Sequence, residues 1–148
     1  MIAGLLMFFL GAGASPEGSP AALWIEGEAW FTQVGSHGPD RPPFASRGEC
    51  LGSSWGGSRG HEAVYRFELD REWPAATLEL RYARRDPGPA SLDLILDDET
   101  IAGAWQLANT GGWGHLADKE WRYAAVPLGR LAPGWHLLRF VSAADRTT

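Results

Sequence analysis

Two runs, Ala63-Val64-Tyr65-Arg66-Phe67-Glu68-Leu69-Asp70 and Thr77-Leu78-Glu79-Leu80-Arg81-Tyr82-Ala83, decide the fold class. In the first, Ala63, Tyr65, Phe67 and Leu69 alternate with Val64, Arg66, Glu68 and Asp70; in the second, Leu78, Leu80 and Tyr82 alternate with Thr77, Glu79, Arg81 and Ala83. A period of two puts one set of side chains on each face of an extended chain, so both runs read as half-buried strands. The pattern continues outward. Leu92, Leu94 and Leu96 alternate with Asp93, Ile95 and Asp97, and the acidic turn at Asp98-Glu99 sends the chain back through residues 101–107 as a hairpin. Residues 121–128 are extended, since Pro127 would break a helix, and Pro133-Gly134 launches a last strand over 135–141. Short strands joined by turns, with no sustained helical stripe after residue 14, predict an all-β, antiparallel β-sandwich or jelly roll.

Composition agrees. The 148 residues include 19 Gly, 10 Pro and 8 Trp, which suits many turns and few helices, and the 45% apolar content is enough for a core. Lys and Arg number 13 against 18 Asp and Glu, a net charge of -5, and no basic cluster offers phosphate contacts, so nucleic acid is not an expected partner. The lone Cys50 builds neither a disulfide framework nor a cysteine-based zinc site.

Residues 1–14 are uncharged and apolar and end in Ala12-Gly13-Ala14, a small-x-small pattern. They read as a signal-peptide-like segment, with an additional buried strand as the alternative. Residues 15–22, with two Pro and one Gly, read as a linker, leaving 23–148 as the folded module. The expected location is outside the cell or in a bacterial periplasm, with no membrane span in the mature chain.

Two long stretches break the strand rhythm: residues 32–61, rich in Gly, Ser, Pro and Arg, and residues 108–119, which contain Thr110-Gly111-Gly112-Trp113-Gly114. Loops this long usually carry function. Trp113 lies between glycines, and Trp55 sits in Leu51-Gly52-Ser53-Ser54-Trp55-Gly56-Gly57. A flat indole on such a loop either folds back to plug the end of the sandwich or stacks on the apolar C–H face of a sugar, whose hydroxyls would meet polar groups such as Asn109 and Arg59. The other six tryptophans, 24, 30, 73, 105, 121 and 135, lie in or beside strands and read as core or rim. Glu26-Gly27-Glu28 stands at the first strand, immediately after Leu23-Trp24-Ile25. Alternation puts both carboxylates on the same side of that strand, where they either solvate an edge strand or supply oxygen ligands to a hard cation such as calcium.

Several elements in one order resemble the carbohydrate-binding modules of families 6 and 35. They are Ile25-Glu26-Gly27-Glu28-Ala29, Tyr65-Arg66-Phe67, Leu80-Arg81-Tyr82-Ala83, Asn109-Thr110-Gly111-Gly112-Trp113, Trp121 and the closing run from Leu131 through Gly134-Trp135-His136-Leu137-Leu138-Arg139. The resemblance implies a galactose-binding-like β-sandwich attached to secreted glycan-active enzymes and binding poly- or oligosaccharide without catalysis. It makes Glu26 and Glu28 structural calcium ligands and Trp113 the aromatic platform, with Trp55 as the opposing ring. Family members continue into a further strand bearing an Asn and an Asp, whereas this sequence reaches Ala144-Asp145-Arg146-Thr147-Thr148, so the sandwich is expected to lack its last strand, with Asp145 a poor substitute.

Enzymatic readings fare worse. Gly52-Ser53-Ser54-Trp55-Gly56 matches a G-x-S-x-G string, but Gly57-Ser58-Arg59-Gly60 follows where a nucleophile elbow needs a helix. His37, His61, His115 and His136 show no metal-ligand spacing. The acidic run Asp93, Asp97, Asp98 and Glu99 sits on a strand and its turn, where solvation explains it without the paired carboxylates of a glycosidase. A structural or protein-interaction sandwich without a sugar site is the competing class.

Overall fold

The computed structural model describes residues 3–14, 20–52, 54–85 and 90–143, with side chains from residue 22 onward. Its strands are β1 (Ala3–Ala14), β2 (Pro20–Ile25), β3 (Thr32–Val34), β4 (Pro39–Asp40), β5 (Cys50–Leu51), β6 (Glu62–Leu69), β7 (Trp73–Ala83), β8 (Ala90–Leu96), β9 (Glu99–Leu107), β10 (Arg122–Leu131) and β11 (Gly134–Ser142). A four-stranded sheet, β10-β7-β1-β2, faces a five-stranded sheet, β3-β6-β11-β8-β9, and β4 pairs with β5. Every pairing is antiparallel. The sandwich expected from the period-two pattern is present, and no helix among the described residues is long and apolar enough to cross a membrane.

The alternation locates the core. Tyr65, Phe67 and Leu69 of β6, Leu78, Leu80 and Tyr82 of β7, Leu92, Leu94 and Leu96 of β8, and Leu138 and Phe140 of β11 are all buried in one cluster. Their neighbours Arg66, Glu68 and Leu137 face outward and are exposed. The Tyr65 and Phe140 rings meet edge to face, 6.0 Å apart at 87°. The β8–β9 hairpin turns through Asp97 and Asp98, both at positive φ, as a right-twisted two-residue hairpin requires. Pro127 is tolerated because β10 is a sheet edge, and the pairing with β7 shifts between Pro127 and Gly129.

Residues 3–14 pair as β1 between β2 and β7, with Met7 opposite both Ile25 and Leu80. Two expectations change. Residues 20–22, assigned to the linker, belong to β2, while 15–19 lie outside the described residues, as does Asp145. Trp55 is fully buried within the main core cluster. It cannot offer a ring face to a sugar, because the loop folds inward and the indole gains more by leaving water than the glycine-rich sequence around it reveals.

Truncating Trp55 to Ala should therefore cost about 3–5 kcal/mol of stability in denaturant unfolding. A variant that loses less than about 1 kcal/mol would show that the indole does not plug the core.

Candidate functional site

The chain between β9 and β10 is fastened by Thr110. Its backbone N–H donates to the Arg84 carbonyl (2.9 Å), and its buried hydroxyl accepts from the Arg84 N–H (2.9 Å) and lies 3.0 Å from the same carbonyl. Arg84, just past β7, is 2% exposed and donates from Nη1 to the Leu107 carbonyl at 2.6 Å. The end of β7 and the end of β9 are thereby locked together where the loop leaves the sheet. Asn109 shapes the next turn, accepting from the Gly111 N–H at 2.7 Å and donating to the Arg85 carbonyl at 3.2 Å.

Beyond that turn, Glu120 Oε2 accepts from the N–H groups of Gly114 (2.8 Å) and Leu116 (3.4 Å), folding the loop around its carboxylate. The glycines are steric requirements here. A Cβ on Gly112 would lie 2.1 Å from Glu120 Cδ, and one on Gly114, at φ 77°, would lie 2.5 Å from the Trp121 indole. Trp121 is buried beneath, with the Arg81 guanidinium 4.6 Å from its ring centre. The result is a concavity of about 220 Å³ lined by Arg85, Gly111, Gly112, Trp113, His115, Leu116 and Glu120. Trp113 is half-buried, and His115 Nε2 approaches Asp40 Oδ2 at 3.5 Å, joining this loop to the 32–61 loop.

Of the four proposed sugar contacts, Trp113 alone lines this concavity. Asn109 supports it from behind; Arg59 is exposed on the 52–61 loop and does not line it; Trp55 is in the core. Arg85, His115, Leu116 and Glu120 are the lining residues that sequence reasoning did not assign to a site. Glu120 answers to the glycine spacing of the loop only once the chain is folded back.

Glu26 and Glu28 occupy a different place. β2 stops at Ile25, and residues 27–28 form a turn closed by the Ala29 N–H on the Glu26 carbonyl (3.0 Å), so the pair is not carried by a continuing strand. The Tyr65 hydroxyl ties this turn to β6 by donating to the Gly27 carbonyl at 2.7 Å. Burial, with the Glu28 charge and Cys50 adding to it, pushes the Tyr65 phenol well up, which keeps it a donor at neutral pH. Glu26 is 8% exposed, and its Oε1 accepts from Trp24 Nε1 (2.5 Å), Ser46 Oγ (3.2 Å) and Arg47 Nε (3.2 Å). Glu26 Oε2 and Glu28 Oε2 are buried without a partner. Burial raises the Glu28 carboxyl above its ordinary value, the Glu26 and Glu49 charges add to the rise, and a backbone hydrogen bond and Arg47 oppose it. Two orphaned carboxylate oxygens short of positive charge fit a hard cation. Among the described residues, however, no group of three or more His, Cys, Asp or Glu gathers as a ligand set.

A second exposed cluster lies on the outer face of the five-stranded sheet. Arg66 stacks between Phe31 and Trp135, 4.7 and 4.8 Å from their ring centres, beside a concavity of about 510 Å³. Trp135, read as core or rim, is 61% exposed. Beneath it His136 stacks on Phe67, with Nδ1 2.6 Å from Asp97 Oδ2 and Nε2 2.8 Å from the Ala132 carbonyl.

No protein-family model and no curated protein matches the sequence. Solved structures do match the fold. A family 35 carbohydrate binding module from an environmental isolate superposes with a TM-score of 0.63 at 11% identity, covering 93% of this chain and 83% of that one. A CBM35 from Paenibacillus barcinonensis gives 0.59 at 15% identity, covering 83% and 89%. A family 35 module from Clostridium thermocellum gives 0.53 at 14%, covering 99% and 82%. The resemblance read from the sequence therefore holds in the fold, which is the β-sandwich of family 35 modules.

Replacing Gly112 with Ala should displace the Glu120 carboxylate from the Gly114 and Leu116 amides. Hydrogen exchange at those two amides is expected to accelerate while global stability falls by only about 1 kcal/mol; unchanged exchange would contradict the role given to Glu120.

Proposed function

We propose that the chain is a non-catalytic carbohydrate-binding module whose sugar stacks on Trp113. The observation that carries this reading is the half-buried indole in a concavity that also presents Arg85 and Glu120, a cationic donor and a carboxylate acceptor for sugar hydroxyls. Its loop is held from behind by Thr110, Asn109 and Glu120, so little ordering accompanies binding. A single ring and a small concavity favour affinities on the order of millimolar to micromolar. Binding at that strength serves to raise the local concentration of an attached or associated glycan-active enzyme on its polymer. Only one carboxylate among the described residues lines the concavity, which supports binding over hydrolysis by a carboxylate pair.

The reading includes export and a structural calcium ion. Residues 1–14 support export by their apolar, small-residue-terminated sequence. A mature chain that keeps them carries β1 between β7 and β2, whereas processing after Ala14 leaves that slot to another strand. Calcium is supported by the orphaned oxygens of Glu26 and Glu28, which would hold it, and it would supply charge neutralisation to that carboxylate pair. The competing reading, a protein-interaction sandwich, is favoured by the exposed Phe31, Arg66 and Trp135 cluster.

In affinity electrophoresis through soluble polysaccharides, Trp113→Ala should lose retention by about tenfold or more, and Trp135→Ala should keep it. Wild-type migration unaffected by every polysaccharide, or retention lost with Trp135 instead, would favour the interaction reading. Saturating calcium at neutral pH should raise the melting temperature by about 5–10 °C over the chelator-treated chain. Coincident melting curves would remove the ion from the proposal.

A further inference from the structure

Beside the carboxylate pair, the 3₁₀ turn Ser46–Gly48 holds Arg47 in the left-handed region, at φ 50° and ψ 13°. An arginine has no preference for that conformation, so the turn holds it there against a backbone cost. The turn nevertheless brings its guanidinium to Glu26: Arg47 Nε lies 3.2 Å from Glu26 Oε1, although 77% of the Arg47 side chain is exposed and only 9% of the Glu26 side chain is. Among the described residues, the side-chain donors from Trp24, Ser46 and Arg47 converge on Glu26 Oε1. The other oxygen, Oε2, remains buried and unpartnered, as does Glu28 Oε2. An open concavity of about 550 Å³, lined by Trp24, Ile25, Glu26, Ala29, Ser46 and Arg47, reaches the Glu26 side of the pair.

We propose that Arg47 is a tethered counter-ion that competes with a divalent cation for the Glu26 and Glu28 carboxylates. The inference rests on the calcium reading above and adds to it a built-in competitor. One guanidinium charge does not offset both the buried Glu26 and the half-buried Glu28 carboxylates, and their unpartnered Oε2 atoms record the shortfall. A divalent ion supplies the second charge. Its arrival makes the neighbouring guanidinium unfavourable by like-charge repulsion, and an exposed side chain can move into water at little cost. Without the ion, Arg47 offsets part of the charge on Glu26. Calcium therefore binds in exchange for an arginine contact, and its affinity is set by that exchange as well as by its ligands.

The test is a calcium titration of the full chain, by calorimetry and by competition with a fluorescent calcium chelator, for wild type, Arg47→Gln, Arg47→Asn and Arg47→Lys. Asn tolerates the left-handed backbone and guards against a folding defect in the Gln variant. Both neutral variants should bind calcium about five to ten times more tightly than wild type, and the calcium concentration giving half of the thermal shift should fall by the same factor. Arg47→Lys, which keeps the charge, should stay within about twofold of wild type. Equal affinities in wild type and both neutral variants would overturn the competition while leaving the calcium reading in place. No calcium binding by wild type or any variant would overturn both.

Discussion

The indole of Trp55, enclosed between the two sheets, is the contact on which the loop end of the molecule depends. A sandwich whose inner faces are apolar must exclude water at its ends as well as along its strands, and the loops that cross an end have to supply the apolar cover. Trp55 does so from the long connection between β5 and β6. With that ring committed to the core, Trp113 is left as the ring lining the neighbouring concavity. The concavity consequently offers one indole flanked by the charged groups of Arg85 and Glu120.

The Trp113 loop and the carboxylate turn, which follow the neighbouring ends of β9 and β2, are served by the same economy of buried polar bonds. Thr110 and Arg84 fix the loop end, and the Tyr65 hydroxyl fixes the turn that bears Glu26 and Glu28. Each bond joins segments far apart in sequence and costs more to break than it contributes to make, because the group left behind would be buried without a partner. The Trp113 loop and the carboxylate turn are thus held by the core itself, which is the usual condition for a loop to be pre-organised.

What the sequence made legible follows from this division. Period-two alternation is a local signal, and it located β6, β7, β8 and β11 and their inner faces. The Thr-Gly-Gly-Trp string likewise marked the loop that carries Trp113. Burial of a glycine-flanked indole is decided by contacts from distant strands, so Trp55 and Trp113 look alike in sequence and differ in the fold. The same holds for Glu120, whose role depends on the chain returning to Gly112 and Gly114, and for Arg85, which no motif distinguishes from Arg84. The apolar 1–14 segment is compatible with both a targeting segment and a strand because each demands hydrophobicity over a similar length.

The central claim is that the Trp113 concavity holds the ligand. It is tested most directly by a two-dimensional proton–nitrogen NMR titration of the full chain with the polysaccharide fragment that retards it most strongly. Perturbations confined to the Trp113 indole N–H and the amides of Gly111, Gly112 and Leu116, saturating together, are expected. Perturbations confined instead to Phe31, Arg66 and Trp135, or absent at saturating sugar, would contradict it.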